Sequence, residues 1–388
     1  MSRLPSGWKY LKLIEVAEIV SGATPKTEVE KYWNGNILWA TPKDLGQLRS
    51  AEISDTERKI TQAGYESCST RLLPSGSVLL SSRAPIGHLA INIKPICTNQ
   101  GFKSLIPKNN IFNRYLYWVL KASVVQLQGL GRGCTFDEIS KGSVEKFEIP
   151  VPPLSEQCRI VARVEELTSR VEESRNTAIE REAHLDVLLQ ATYWRIIDGV
   201  EWEPLEKVAS LVRRAVKTKP CEKYEEMGIR SFGKGTFKKP ILTGKQIGNK
   251  HIYYIHKGDL VFNNVFAWEK AIAVAKEEDH GRVGSHRFIT YVPREGKATS
   301  EFLCHHFLGE RGIEDIRAAS PGSAGRNRTL GLKKLEKILV PVPDYDEQKR
   351  FAELARRRQL VQQESAGIEE DMKSFTSALL VKAFRGEL

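Results

Sequence analysis

Pro150-Val151-Pro152-Pro153-Leu154-Ser155-Glu156-Gln157-Cys158-Arg159 and Pro341-Val342-Pro343-Asp344-Tyr345-Asp346-Glu347-Gln348-Lys349-Arg350 are one segment written twice, 191 residues apart and identical at six of ten positions. The same offset lays Glu145-Lys146 on Glu336-Lys337 and Leu188-Leu189 on Leu379-Leu380, so the interval from the proline element to the leucine pair is equal in both copies. Further upstream, Leu13–Val20 resembles Leu205–Val212, each following a tryptophan (Trp8, Trp202). A repeat of this length is too long for a solenoid unit. It reads as a duplicated module of one globular segment followed by one helix.

Proline resists continuing a preceding element, so the two Pro-Val-Pro runs read as extended approaches to helices. Ser155 and Asp346 are expected N-caps, with Glu156 and Glu347 in the first turn where the helix dipole favours a negative charge. From Ile160 a 4-3 spacing continues through Val164, Leu167, Val171, Ser174, Ala178, Arg181, Leu185 and Leu188. Phe351, Leu354, Val361, Ile368, Met372, Phe375 and Leu379 trace a similar seam in the second copy. So narrow a seam suits a helix pair better than the covering of a globular core. The expected fold is therefore α+β: two mixed α/β domains, 1–154 and 198–345, separated by long helices, 155–197 and 346–388. The helices are expected to form an antiparallel coiled coil with a pseudo-two-fold repeat.

Charge follows this division. The chain of 388 residues carries a formal +11. Residues 1–154 are net +6 and 198–345 net +7, whereas 155–197 are net −2 and 346–388 neutral. Excess positive charge on the globular segments alone suits two nucleic-acid-reading heads on a neutral spacer. The six cysteines form no CxxC pair, which argues against zinc and against a disulfide framework and suits a reducing cytoplasm. No run approaches the length of a membrane span, and Met1–Tyr10 lacks the apolar core of a secretory leader.

Each enzymatic reading requires a constellation that the sequence does not supply. Pro152-Pro153, flanked by Val151 and Leu154, offers no polar side chain to a flipped adenine. Gly129, Gly131 and Gly133 cluster, but read as a loop and not as a cofactor cradle. GxxxxGK[ST] does not occur. Asp344, Glu347 and Lys349 mimic part of a metal-dependent nuclease pattern, yet read better as an acidic helix N-terminus. His305-His306 has no acid or cysteine at ligand spacing.

The run Ile149–Leu167, its second copy from Val340, and Ala383–Leu388 resemble the specificity subunit of type I restriction-modification systems. Trp39–Leu45, Leu73–Arg83, Thr98–Lys103 and Thr135–Ser140 are similar to a target-recognition domain of that family, while 198–345 matches in layout only. The resemblance implies a cytoplasmic, non-catalytic chain that reads a bipartite double-stranded DNA target, one half-site per recognition domain. It implies helices that set the gap between half-sites and dock adenine-N6 methyltransferase subunits, in an assembly with restriction/translocase subunits. S-adenosylmethionine, ATP and Mg²⁺ would belong to those partners, with no cofactor in this chain. A specificity subunit of a type IIB-like system shares the layout, and a structural adaptor that does not touch DNA is the alternative of another class.

Phosphates want Lys and Arg, and base edges want forked donors and acceptors. In the first head Lys43, Arg83, Asn99, Gln100, Lys103 and Arg132 are candidate DNA contacts. In the second they are Arg213, Arg214, Lys217, Lys219, Lys234, Lys238, Lys239, Asn263, Asn264, Arg287, Arg326, Asn327 and Arg328. For any single lysine a solvated surface is the competing reading. Pro150, Pro152, Glu156, Gln157, Pro341, Pro343, Glu347 and Gln348 are the candidates for helix start and partner docking.

Overall fold

Each proline run closes a two-stranded antiparallel ribbon before a long helix. Glu148–Val151 pairs with Lys9–Lys12, and Leu339–Pro341 pairs with Trp202–Pro204. Prolines are tolerated there because a two-stranded ribbon has free edges. The computed structural model describes residues 4–83, 85–131, 138–322 and 328–388. It divides into two units, Met1–Thr177 with Gly367–Leu388, and Ala178–Ala366.

The long helices are Leu154–Ile197 and Tyr345–Ala383. Both begin one residue before the expected caps, which corrects the assignment of Ser155 and Asp346. In the second helix Asp344 caps: its Oδ1 accepts from the Asp346 and Glu347 N–H groups at 2.9 and 3.1 Å. The matching position in the first helix is Pro153, whose carbonyl accepts from the N–H groups of Glu156 and Gln157. Proline has no side-chain acceptor, so only the second start is capped by a side chain.

In the first unit a five-stranded sheet runs Ala17–Ser21, Lys103–Pro107, Val78–Leu80, Leu89–Asn92, Glu52–Ile53. A second sheet holds Arg58–Ile60, Trp33–Ala40 and Ile96–Thr98. Helix Asn113–Ala122 brings Tyr115, Leu116, Val119 and Leu120 onto a core shared with Ile160 and Val164 of one long helix and Leu380, Ala383 and Phe384 at the end of the other. Tyr115 meets Phe384 edge to face at 5.4 Å.

The second unit repeats the plan. Its first sheet runs Ala209–Val212, Phe288–Pro293, Leu260–Asn263, Ile272–Val274. Its second runs Thr236–Thr243, Lys223–Ile229, Val283–Ser285, Ile252–Tyr254. Helix Ser300–Leu308 places Phe302, Leu303 and Phe307 against Phe262 and Tyr291, with Leu189, Tyr193, Ile196 and Phe351 from the long helices. The faint similarity of Leu13–Val20 to Leu205–Val212 is one helical turn followed by a strand in both places. Even the backbone bonds correspond: Lys108 N–H to Val16 O and Arg294 N–H to Val208 O, then Leu13 N–H to Phe147 O and Leu205 N–H to Ile338 O.

Within the second unit the long helices run antiparallel. Arg358 donates to both carboxylate oxygens of Asp186 at 2.7 and 3.2 Å, and Arg181 lies 3.5 Å from Glu364. Arg195 lies 3.9 Å from Glu347, so residue numbers rise on one helix as they fall on the other. The α+β architecture with an antiparallel helix pair is thus the one expected. The seam differs in both helices. In the second the expected seam positions Ile368 and Phe375 are exposed. In the first Leu188 is half exposed and Leu189 is buried, while Ser174 and Arg181 face solvent. A helix of 3.6 residues per turn drifts by about 20° per heptad against a strict 3.5 repeat, which moves the buried line on by one residue over four heptads.

Candidate nucleic-acid interface

Pro42, which precedes Lys43, meets Arg83 and Asn99 around one backbone point in the first unit although the three lie far apart in sequence. The strand Trp33–Ala40 ends where the Asn99 N–H donates to Ala40 O at 3.0 Å. Thr41 then opens a short helix, with its N–H and hydroxyl donating to Asp44 Oδ2 at 2.8 and 2.6 Å. The Ser82 N–H donates to Gly101 O at 2.7 Å. A Cβ added at Gly101 would stand 3.0 Å from Asn99 Oδ1, 3.2 Å from Pro42 Cγ and 3.5 Å from Arg83 Nε. The close approach of three segments favours glycine there, since a side chain would press on all three. Gln100 is exposed beside this point, its side-chain oxygen accepting from the Thr24 hydroxyl.

Two of the first-unit candidates have other engagements. Lys43 is exposed and pairs with Glu57 at 2.7 Å, and that bond raises its pKa. Lys103 is 7% exposed, lies 3.5 Å from the Ser82 hydroxyl and pairs with Glu138 at 3.3 Å. Its ammonium is therefore held under the loop cluster, which corrects its reading as a surface phosphate contact. Arg132 lies outside the described residues.

The second unit builds the same backbone junction with different side chains. The Asn264 N–H donates to Arg287 O at 2.8 Å, and the Leu330 N–H donates to Asn264 O at 2.7 Å. In the first unit the Ile139 N–H donates to Ser82 O at 2.9 Å, so Asn264 stands where Ser82 does and Arg287 where Gly101 does. Arg287 is exposed. Asn263 turns inward to its own loop, its Oδ1 accepting from the Val265 N–H at 3.1 Å. The Oδ1 of Asn264 is buried with no partner among the described residues. Arg213 is exposed, donates to Phe288 O at 2.8 Å and lies 4.9 Å from the Tyr253 ring. Arg328 stands 5.3 Å from the Trp268 ring. Arg326 and Asn327 lie outside the described residues.

Arg214 is the clearest correction in this unit. Its guanidinium grips Asp259 through both oxygens, at 2.6 and 3.1 Å, and Asp259 is 2% exposed and also accepts from the His256 N–H. That fork holds a buried carboxylate, so it is not presented to DNA. Among the lysines, Lys219 pairs with Glu222, Lys238 with Glu278 and Lys239 with Glu226, while Lys217 and Lys234 are exposed.

Sequence reasoning missed a tip on this face. Arg230-Ser231-Phe232-Gly233-Lys234-Gly235 joins the strands Lys223–Ile229 and Thr236–Thr243, closed by Arg230 N–H to Gly235 O at 2.9 Å. Phe232 is 70% exposed and has φ 63°, a left-handed conformation that costs a non-glycine residue roughly 1–2 kcal/mol. A phenylalanine between a serine and two nearby glycines was the available signal: such a run cannot bury an aromatic in a strand.

The Glu-Gln signature resolves into opposite roles. Gln157 and Gln348 are fully buried. Gln157 Oε1 accepts from the Phe112 N–H at 2.8 Å, and its Nε2 donates to Asn110 O and Pro152 O at 3.1 and 2.9 Å. Gln348 Oε1 accepts from the Thr299 N–H at 3.0 Å, and its Nε2 donates to Lys297 O and Pro343 O at 2.8 and 2.9 Å. Each amide thus ties the start of a long helix to the loop that opens the helix Asn113–Ala122 or Ser300–Leu308. Pro152, Pro341 and Pro343 are buried too, and Pro150 O accepts from the Tyr115 hydroxyl at 2.8 Å. These residues serve the helix start and offer a partner little surface. Glu156, paired with Arg159, and Glu347 are the solvent-facing members.

His305 and His306 belong to the core. Burial, with Arg358 nearby, pushes His305 down to about 4. Burial, with Arg311 and His305 nearby, pushes His306 down to about 3, and its Nδ1 lies 2.7 Å from the Tyr193 hydroxyl. No group of three or more His, Cys, Asp or Glu among the described residues is placed to hold a metal. No described helix is long and apolar enough to cross a membrane.

The chain is similar to known proteins in part of its sequence and in its fold. Residues 5–181 match the family described as type I restriction modification DNA specificity domain. The chain is 40% identical over 162 residues to the type I restriction enzyme MjaIX specificity subunit of Methanocaldococcus jannaschii, covering 41% of this chain and 38% of that one. It is 31% identical over 183 residues to the EcoR124I/EcoR124II specificity subunit of Escherichia coli, covering 45% and 44%. These alignments span less than half the length of either relative. A chain solved in work on complex assembly and conformational transition of the type I R-M system shares the fold over 100% of both chains, with a TM-score of 0.67 at 20% identity.

Proposed function

We propose that this chain, whose residues 5–181 match the type I restriction modification DNA specificity domain, is a non-catalytic specificity subunit of such a system that reads a split double-stranded DNA site, one half through each unit. The observation that supports this reading is the shared backbone junction dressed with different side chains. Ser82 and Gly101 in one unit, and Asn264 and Arg287 in the other, occupy the same hydrogen-bonded positions. A constant frame with variable polar loops is what two readers of unlike sequence require, since base edges are discriminated by side chains while the frame sets their position. The neutral to acidic long helices repel phosphate relative to the heads and are assigned to fixing the gap between half-sites and to docking partners. Those partners are adenine-N6 methyltransferase and restriction/translocase subunits, which carry S-adenosylmethionine, ATP and Mg²⁺.

The test is selection from a random-site duplex pool by the full-length chain with its co-purifying methyltransferase, at two salt concentrations. One split sequence is expected to enrich at both salts, with affinity falling steeply as salt rises. A complex that forms without enriching any sequence would mark the chain as an adaptor.

A further inference from the structure

Phe232 is the most exposed aromatic side chain among the described residues, and its backbone is held where only glycine is at ease. Its N–H donates to Glu269 O at 2.7 Å and the Gly233 N–H donates to Lys270 O at 3.0 Å. Lys270 is itself left-handed, with φ 64°. Two non-glycine residues in that conformation are thus brought together by backbone bonds. Strain of this kind persists only where the surroundings impose it, and it gathers at functional sites. The tip presents a rigid ring to solvent, without burying it.

The tip also has a place in the candidate surface. The turn that holds it, 264–271, follows Asn263; the Asn263 N–H bonds Ala271 O and the Asn264 N–H bonds Arg287 O. The strand leading into the tip pairs in parallel with Val283–Ser285, as Trp33–Ala40 does with Ile96–Thr98 in the first unit. Phe232 therefore extends from the same strand end as the Pro42-Lys43 turn. Beside it stand exposed Lys234 and half-buried Lys270, with Glu269 accepting from the Ser231 hydroxyl at 3.2 Å. Phe266 is the other large exposed apolar side chain on this turn, at 38%. Two phenylalanines among lysines are too small an apolar patch for the core of an ordinary protein interface. A ring flanked by cations suits a base stack flanked by phosphates.

Resting on the reading above, we propose that Phe232 is a wedge of the second unit, entering or capping a base step of the duplex while Lys234 and Lys270 meet the flanking phosphates. Base–aromatic stacking of this kind is expected to change affinity by roughly tenfold. The full-length chain would be assayed, with its co-purifying subunits, on its selected duplex carrying 2-aminopurine at successive positions. Phe232→Ala is expected to weaken binding about tenfold and to abolish a fluorescence rise seen at one step in one half-site. Phe232→Leu, which keeps an apolar wedge, is expected to retain much of both. Wild-type affinity and an unchanged fluorescence pattern in Phe232→Ala, with sequence selection intact, would overturn the wedge and leave DNA reading standing. Loss of a co-purifying subunit in Phe232→Ala, with DNA binding unchanged, would overturn it in favour of a protein contact. If the wild-type chain selects no sequence, both the wedge and the reading beneath it fall.

Discussion

The two units agree in their frames and disagree in what the frames present. Agreement is found where backbone groups must be paired: the buried glutamine at the helix start, the ribbon before it, and the junction between the strand ends. Disagreement is concentrated where side chains face solvent. The first unit puts glycine at position 101, crowded by Asn99, Pro42 and Arg83, where the second puts exposed Arg287. The lesson is that duplication preserved the hydrogen-bond accounting and released the rest, because an unpaired buried backbone group costs more than a changed surface side chain.

The equivalence of the frames is broken most directly at the glutamines. Gln157→Leu and Gln348→Leu each remove three hydrogen bonds and strand one N–H and two carbonyls, for an expected loss of about 3 kcal/mol apiece. Calorimetry of each variant should show one lowered transition and one unchanged. Similar costs support equivalent clamps; a negligible cost in either would show that the two helix starts are held differently.

A second difference lies in the cores. His306 occupies a core position of the second unit for which the first unit uses apolar residues of Asn113–Ala122. Its folded pKa, near 3, lies below the unfolded value of about 6.5, so the unfolded chain binds the proton first. Stability is intact above about pH 6.5 and is lost as pH falls toward the folded value, by about 2 kcal/mol at pH 5. The transition of the second unit should fall between pH 7 and 5 more than that of the first. Burial also lowers His305, to about 4, so it adds a comparable loss over the same window. His306→Gln should therefore roughly halve the difference; an unchanged pH slope would assign it elsewhere.

How much of this the sequence disclosed depends on the range of the interaction. The repeat, the long helices and the basic heads were legible because each is a local pattern or a tally. The meaning of Gln157 was not, because its partners at Asn110 and Phe112 lie more than forty residues away. Lys103 and Arg214 looked like phosphate contacts for the same reason: Glu138 and Asp259, which engage them, are distant in sequence. Asn263 looked like a base reader, and its side chain caps its own turn, a competition that Asn side chains commonly win for the backbone. The seam of the first long helix was right in kind and drifted by one residue, whereas Ile368 and Phe375, expected on the seam of the second, are exposed.

The surface difference is sharpened by Arg287→Ala. On DNA holding both half-sites, affinity is expected to fall about tenfold, the scale of one forked base contact, and specificity to relax at one position of one half-site. Equal loss on DNA lacking that half-site would reduce Arg287 to a backbone contact.

The smallest expected effect belongs to Lys43. It is exposed and already paired with exposed Glu57, and such pairs add little to stability because solvent screens them. Lys43→Ala should therefore leave the thermal transition where it is. If Lys43 meets a phosphate, affinity should fall about two- to threefold at low salt for every sequence alike, and the slope of log affinity against log salt should flatten by about one. A sequence-dependent loss would instead place Lys43 at a base edge, making the Thr41–Gly46 turn a reader in the first unit as the Phe232 tip is argued to be in the second. An unchanged slope would leave the lysine to Glu57.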